Sequence, residues 1–179
     1  MDINHLKFPV GPYKSYQNPS KKELSQWIST IAQFPELVKV ELKNLSPSQL
    51  LWKYRPDGWD IRQVVHHCAD SHMNSLIRFK LALTEEKPTI KPYREDLWAL
   101  LSDSLEEDLS ASIKILEGVH SKWAKLLSNL SNQQLDKTFV HPEQSIEISL
   151  KENIGIYFWH CRHHLEHIRQ AIKYKGEFN

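Results

Sequence analysis

The chain has 179 residues, of which 40% are hydrophobic and 25% charged, with a formal net charge of +1 and a pI near 7.8. That length suits one domain, 1–179, with a core of its own. The charge balance gives no electrostatic argument for nucleic acid, and no run of about eighteen apolar residues is present to span a membrane. The opening "MDINHLKFPVGPYKSY" lacks the positive and apolar regions of a secretory signal, so a cytoplasmic location is expected. Cys68 and Cys161 fit a reducing compartment, as small buried hydrophobes or as ligands rather than a bridge. Five glycines disfavour a turn-rich β fold or a Gly-rich phosphate loop, whereas ten histidines, several of them clustered, call for a geometric test.

Residues 1–19 carry Pro9, Pro12 and Pro19 and read as an extended N-terminal arm. Ser20 is a natural N-cap for an amphipathic helix to about residue 45, with Leu24, Trp27, Ile28, Ile31, Phe34 and Val38 at three- and four-residue steps and Pro35 expected to bend or interrupt it. Pro56, Asp57 and Gly58 mark a turn, and Asp60 caps a second helix over about 60–84, with Ile61, Val64, Val65, Cys68, Leu76 and Phe79 inward. "YREDLWALL" makes a short extra helix at about 93–101. A third long helix spans roughly 106–130, with Ile113, Leu116, Val119, Trp123 and Leu127 on one face. "DKTFVHPEQSIEISL" reads as a loop or short hairpin, and a fourth long helix covers about 150–174, with Ile154, Phe158, Cys161, Leu165, Ile168 and Ile172 inward. Four long amphipathic helices with connectors define an all-α, four-helix bundle.

The last helix contains "WHCRHHLEHI", four histidines in eight residues. Side chains at i and i+4 share a helical face, which gives two pairs, His160 with His164 and His163 with His167. His160 and His164 share a flank of the core stripe with Tyr157; His163 points further toward solvent. A catalytic metal site ordinarily takes three protein ligands and keeps open positions. The second helix offers His66, His67 and His72, of which the stripe turns His66 away from the core and leaves His67 and His72 as alternatives. A zinc-protease reading needs Glu directly after the first His; Cys161 and His164 stand there instead, and Glu166 is about 200° round the helix from His164. Asp70, at i+3 from His67, is the better candidate base, or a group that orients a ligand.

The block from Arg55 to Ala99, "RPDGWDIRQVVHHCADSHMNSLIRFKLALTEEKPTIKPYREDLWA", together with "ENIGIYFWHCRHHLEHI" and "FPVGPYK", resembles the DinB/YfiT superfamily, most closely its YfiT-like members. The resemblance implies a four-helix bundle with one divalent metal, zinc or nickel, held by three histidines. Residue by residue these are His67, the second His before "CAD", and His160 with His164. It implies that His167 lies near the site without ligating and that water fills the remaining positions. The activity implied is that of a metal-dependent hydrolase acting on a small electrophilic molecule, or of a transferase that uses a low-molecular-weight thiol such as bacillithiol, in a homodimer. Arg78, Lys80 and Arg162 are the cations available for the carboxylates of such a thiol. A metal-binding interaction module without turnover is the contrasting expectation, and it requires a coordinatively closed site or one with no pocket.

Overall fold

A computed structural model describes residues 3–15, 18–143 and 145–179. Four long helices carry the architecture: α2 (Lys21–Leu42), α4 (Ile61–Thr84), α6 (Ser110–Leu127) and α8 (Leu150–Tyr174), with the short helices α1 (Asn4–Lys7), α3 (Pro47–Leu50), α5 (Glu95–Trp98) and α7 (Asn132–Leu135), a 3-10 turn at Ser102–Leu105, and the strands β1 (Thr138–His141) and β2 (Ile146–Ser149). Each of α2 and α4 packs against both α6 and α8, so that α2 and α4 occupy opposite corners of the bundle.

Local chemistry sets the boundaries. At Ser20 the hydroxyl accepts from the Glu23 N–H at 3.2 Å while the Glu23 carboxylate accepts from the Ser20 N–H at 2.7 Å, a reciprocal box that satisfies two otherwise unpaired donors. Asp60 and Gln63 do the same at the start of α4. The first long helix stops at Leu42 rather than near residue 45, because Ser46 caps a new helix with Pro47 at its first position. It runs through Pro35 without ending. The third long helix is shorter than expected at both ends. The Asp108 carboxylate accepts from the Ser110 N–H at 2.9 Å and starts the helix there, and Ser128 and Asn129 side chains donate back to the Ala124 and Lys125 carbonyls at its close. A left-handed Lys175, φ 49°, and Gly176, φ 81°, end α8.

The hairpin is antiparallel, with Phe139 opposite Ile148, and these two side chains are buried on one face. Ser149, its last residue, caps α8 by accepting from the Glu152 N–H at 3.2 Å, so the hairpin delivers the histidine-rich helix directly. The core holds Trp123, Phe34, Phe79, Ile31, Leu116, Leu150, Ile154 and Ile168, all fully buried. The N-terminal arm is not simply extended: it contains α1 and lies along α8, where Trp159 donates to the Gly11 carbonyl at 2.9 Å and Gln170 to the Leu6 carbonyl at 2.9 Å. No helix among the described residues is long and apolar enough to cross a membrane.

Candidate metal centre

The stripe that α4 turns inward brings His67 to the face of α8 that carries His160 and His164. One ring nitrogen from each of the three lies within 4.8 Å of the others. The Nε2 atoms of His67 and His160 are 3.3 Å apart, a separation suited to two lone pairs that converge on one point. Trp59 lies over His67 with ring centroids 4.8 Å apart. All three histidines line an open cavity of about 790 Å³, together with Ser71, Arg78, Tyr93, Asn153 and Tyr157.

The hydrogen bonds decide which nitrogen each α8 histidine presents. His160 Nδ1 is 2.9 Å from His72 Nε2, which leaves His160 Nε2 toward the cavity. His164 Nδ1 is 3.4 Å from His167 Nδ1, and His167 in turn donates from Nε2 to the Lys7 carbonyl at 3.2 Å. A histidine that donates on one nitrogen must offer a lone pair on the other, so His164 too keeps Nε2 for the site. The arm therefore reaches the centre through Lys7. Tyr54 stacks on the His167 ring at 3.7 Å and holds it against that carbonyl.

Protonation agrees with a ligand set. Burial lowers His67 to about 4, with repulsion from His163 adding to it. Burial takes His160 and His164 well below the usual imidazole range, and the neighbouring histidines push further in the same direction. Neutral imidazole is the form that binds a metal. Three neutral nitrogen donors on one open cavity fit a divalent cation with positions to spare.

The structure separates the remaining candidates. His72 does not join the trio; it stands behind His160, where its Nδ1 is 2.6 Å from His120 Nε2. His66 is buried rather than turned outward, bonded to Ser112 Oγ at 2.7 Å and to the Glu106 carbonyl at 3.1 Å, because the segment before α6 covers that side of α4. His163 is likewise buried, 7% exposed, between Trp159 at 4.2 Å and Phe8 at 6.0 Å. Helical angle alone points it to solvent, and the arm that covers it lies outside any periodicity argument.

Asp70 is a correction. Its carboxyl does not line the cavity; it faces His66 and Asp103, and burial followed by repulsion from Asp103 raises it to about 6. At i+3 it is about 60° from His67, whereas Ser71 at i+4 is about 40° away and takes the cavity position. Ser71 Oγ is 3.5 Å from His160 Nε2 and 3.1 Å from the Tyr157 hydroxyl, which donates to the Ser71 carbonyl at 3.0 Å. Arg78 lines the cavity; Lys80 and Arg162 are exposed and do not, the latter lying over the Phe158 ring. Cys68 and Cys161 are buried free thiols held far above the ordinary thiol range by desolvation, which leaves them as packing groups rather than nucleophiles.

His120 escaped the sequence reading. The signal was present: Leu116, His120, Trp123 and Leu127 follow one another at steps of four, three and four, which sets a histidine in the middle of an apolar stripe. A ring buried at that position needs partners for both nitrogens.

A four-helix bundle with three convergent histidines on two of its helices defines a class, and sequence comparison gives that class a name. The family model described as the DinB superfamily matches residues 30–168, and the chain belongs to that superfamily. The chain is 43% identical over 172 residues to a Bacillus subtilis protein named "Putative metal-dependent hydrolase YfiT", covering 96% of this chain and 97% of that one. A Bacillus cereus protein named "Putative metal-dependent hydrolase" is 47% identical over 172 residues, covering 96% of this chain and 98% of its own. The solved structure of YfiT from Bacillus subtilis, described as having an unusual four-helix bundle topology, superposes with a TM-score of 0.91 over 94% of this chain and 97% of that one, at 43% identity.

Proposed function

We propose that this protein is a metal-dependent hydrolase whose single divalent cation, zinc or nickel, is held by His67, His160 and His164 and which acts on a small electrophilic molecule. The observation that carries the reading is the convergence of three neutral imidazole nitrogens within 4.8 Å on a cavity large enough for a small substrate. The metal-dependent hydrolase names of the relatives point the same way. When bound, a divalent cation supplies positive charge that polarises an electrophile and makes a nucleophile more acidic.

The chain's own groups do the rest. His160 and His164 hold their positions through hydrogen bonds on their far nitrogens. The hydroxyls of Ser71 and Tyr157, joined at 3.1 Å, stand beside His160 Nε2 and orient a polar group of the substrate. Arg78 supplies a cation on the same wall and holds a negatively charged substituent. Asp70 does not line this cavity; Glu95 does, with its carboxyl held above the usual range by burial.

The test has two stages. Purified protein should carry about one zinc or nickel per chain, and His160→Ala and His164→Ala should lose it. Metal-replete protein is then assayed on a model ester with and without a low-molecular-weight thiol. Hydrolysis in the absence of thiol is the expected result. Conjugation that requires the thiol would replace the hydrolase with a transferase at the same site, and absence of both would leave a binding module.

A further inference from the structure

An unbroken line of hydrogen bonds runs from the backbone of α2 to the candidate metal centre and takes one group from each long helix. The Ile31 carbonyl on α2 is 2.5 Å from His120 Nδ1 on α6. His120 Nε2 is 2.6 Å from His72 Nδ1 on α4. His72 Nε2 is 2.9 Å from His160 Nδ1 on α8. The order α2, α6, α4, α8 follows the packing neighbours of the bundle. His72 and His120 are among the most completely buried side chains of the protein, so no solvent competes for these bonds.

The line has a fixed direction, and Pro35 explains its origin. In a helix the Ile31 carbonyl would accept from the N–H of residue 35, but that residue is proline and has none. The carbonyl is left with open acceptor capacity inside the core, and His120 supplies the donor. A carbonyl can only accept, so His120 carries its proton on Nδ1 and offers a lone pair on Nε2. His72 must then donate from Nδ1 and accept at Nε2, and His160 must donate from Nδ1. The last lone pair in the line is His160 Nε2, 3.3 Å from His67 Nε2.

We infer that His120 and His72 are positioning residues that lock His160 into the tautomer and ring orientation able to ligate, with the carbonyl released by Pro35 as the anchor. The inference rests on the reading of His160 as a ligand. Hydrogen bonds of this kind on the far nitrogen of a ligating histidine are known to set tautomer and raise affinity. Removing the acceptor at His120 lets the proton of His72 move to Nε2, where it faces His160 Nδ1. His160 then accepts at Nδ1, carries its own proton on Nε2, and loses the lone pair that faces the cavity.

The test begins with the intact metal-free protein labelled with 15N-histidine. His120, His72 and His160 should each show the Nδ1–H tautomer; the Nε2–H tautomer at any of the three would overturn the inference without recourse to a variant. Zinc affinity is then measured against a competing chelator. His120→Phe should weaken zinc binding about 10- to 100-fold and move His160 toward the Nε2–H form. His120→Gln, whose amide can donate to the Ile31 carbonyl and accept from His72, should stay within about threefold of the parent. Unchanged zinc affinity in a folded His120→Phe would refute the positioning role. Unchanged affinity in His160→Ala would instead refute the ligand assignment on which it rests.

Discussion

Acid should destabilise the metal-free protein above the ordinary carboxylate range, and the buried histidines, His67 and His120 among them, drive the effect. Burial holds each of these two at about 4 when folded, against an ordinary value of 6.5. The unfolded chain therefore takes up protons first as pH falls. The stability these two contribute is complete above about pH 6.5, is lost as pH falls toward 4, and changes no further below that. From pH 7 to pH 5 each such residue loses about 2 kcal/mol, and His163, held at about 4, and His167, held at about 3, add to the loss in the same direction. That is a large part of the roughly 5–15 kcal/mol that holds an ordinary domain folded. Urea denaturation of chelator-treated protein at pH 7 and pH 5 measures it directly. With a slope of about 2 kcal/mol per molar, the midpoint should fall by about 1 M for each such residue. His67→Gln should remove one residue's share of this pH dependence, about 2 kcal/mol, because the substituted side chain cannot titrate. A midpoint that is the same at both pH values, or that falls only below pH 4, would refute the claim that these rings are buried in the neutral form.

Two further outcomes follow from the geometry. Asp70→Asn should leave metal content unchanged, measured by elemental analysis, because that carboxyl faces His66 and Asp103; with its folded value raised to about 6, the substitution should also stabilise the protein slightly near neutral pH, where the native carboxylate is charged and desolvated. Asp60→Ala should cost about 1 kcal/mol in thermal or urea unfolding, because the carboxylate accepts the Gln63 N–H at 2.9 Å at the head of α4. A loss indistinguishable from zero would mean that the cap is replaced by water.

Much of the fold is legible along the chain because it is local. Ser20 and Asp60 are capping residues wherever they stand before an apolar repeat, and they start α2 and α4. The apolar stripes name Ile61, Val64, Val65, Cys68 and Phe79 on one helix and Ile154, Cys161, Leu165 and Ile168 on another, and all of these are buried. The ends of α6 were less legible, since Asp108, Ser128 and Asn129 act there through side-chain bonds that no periodicity announces.

For the site, spacing pairs His160 with His164 on one face and goes no further than His67 or His72 for a third donor, and it is the family resemblance that points to His67. Tertiary structure separates those two. α4 meets α8 with the His67 Nε2 toward His160 Nε2 and places His72 behind the same ring, against its Nδ1. A one-dimensional pattern records how side chains are spaced around an axis, and not how deep a neighbouring helix or a folded-back arm will bury them. That is why His66 and His163 are buried against expectation, why Ser71 stands where Asp70 was sought, and why His120 has a partner on each side. Pro35 shows both halves of the division. Its missing N–H is written in the sequence, but only the packing of α6 against α2 brings a histidine to the carbonyl it leaves open.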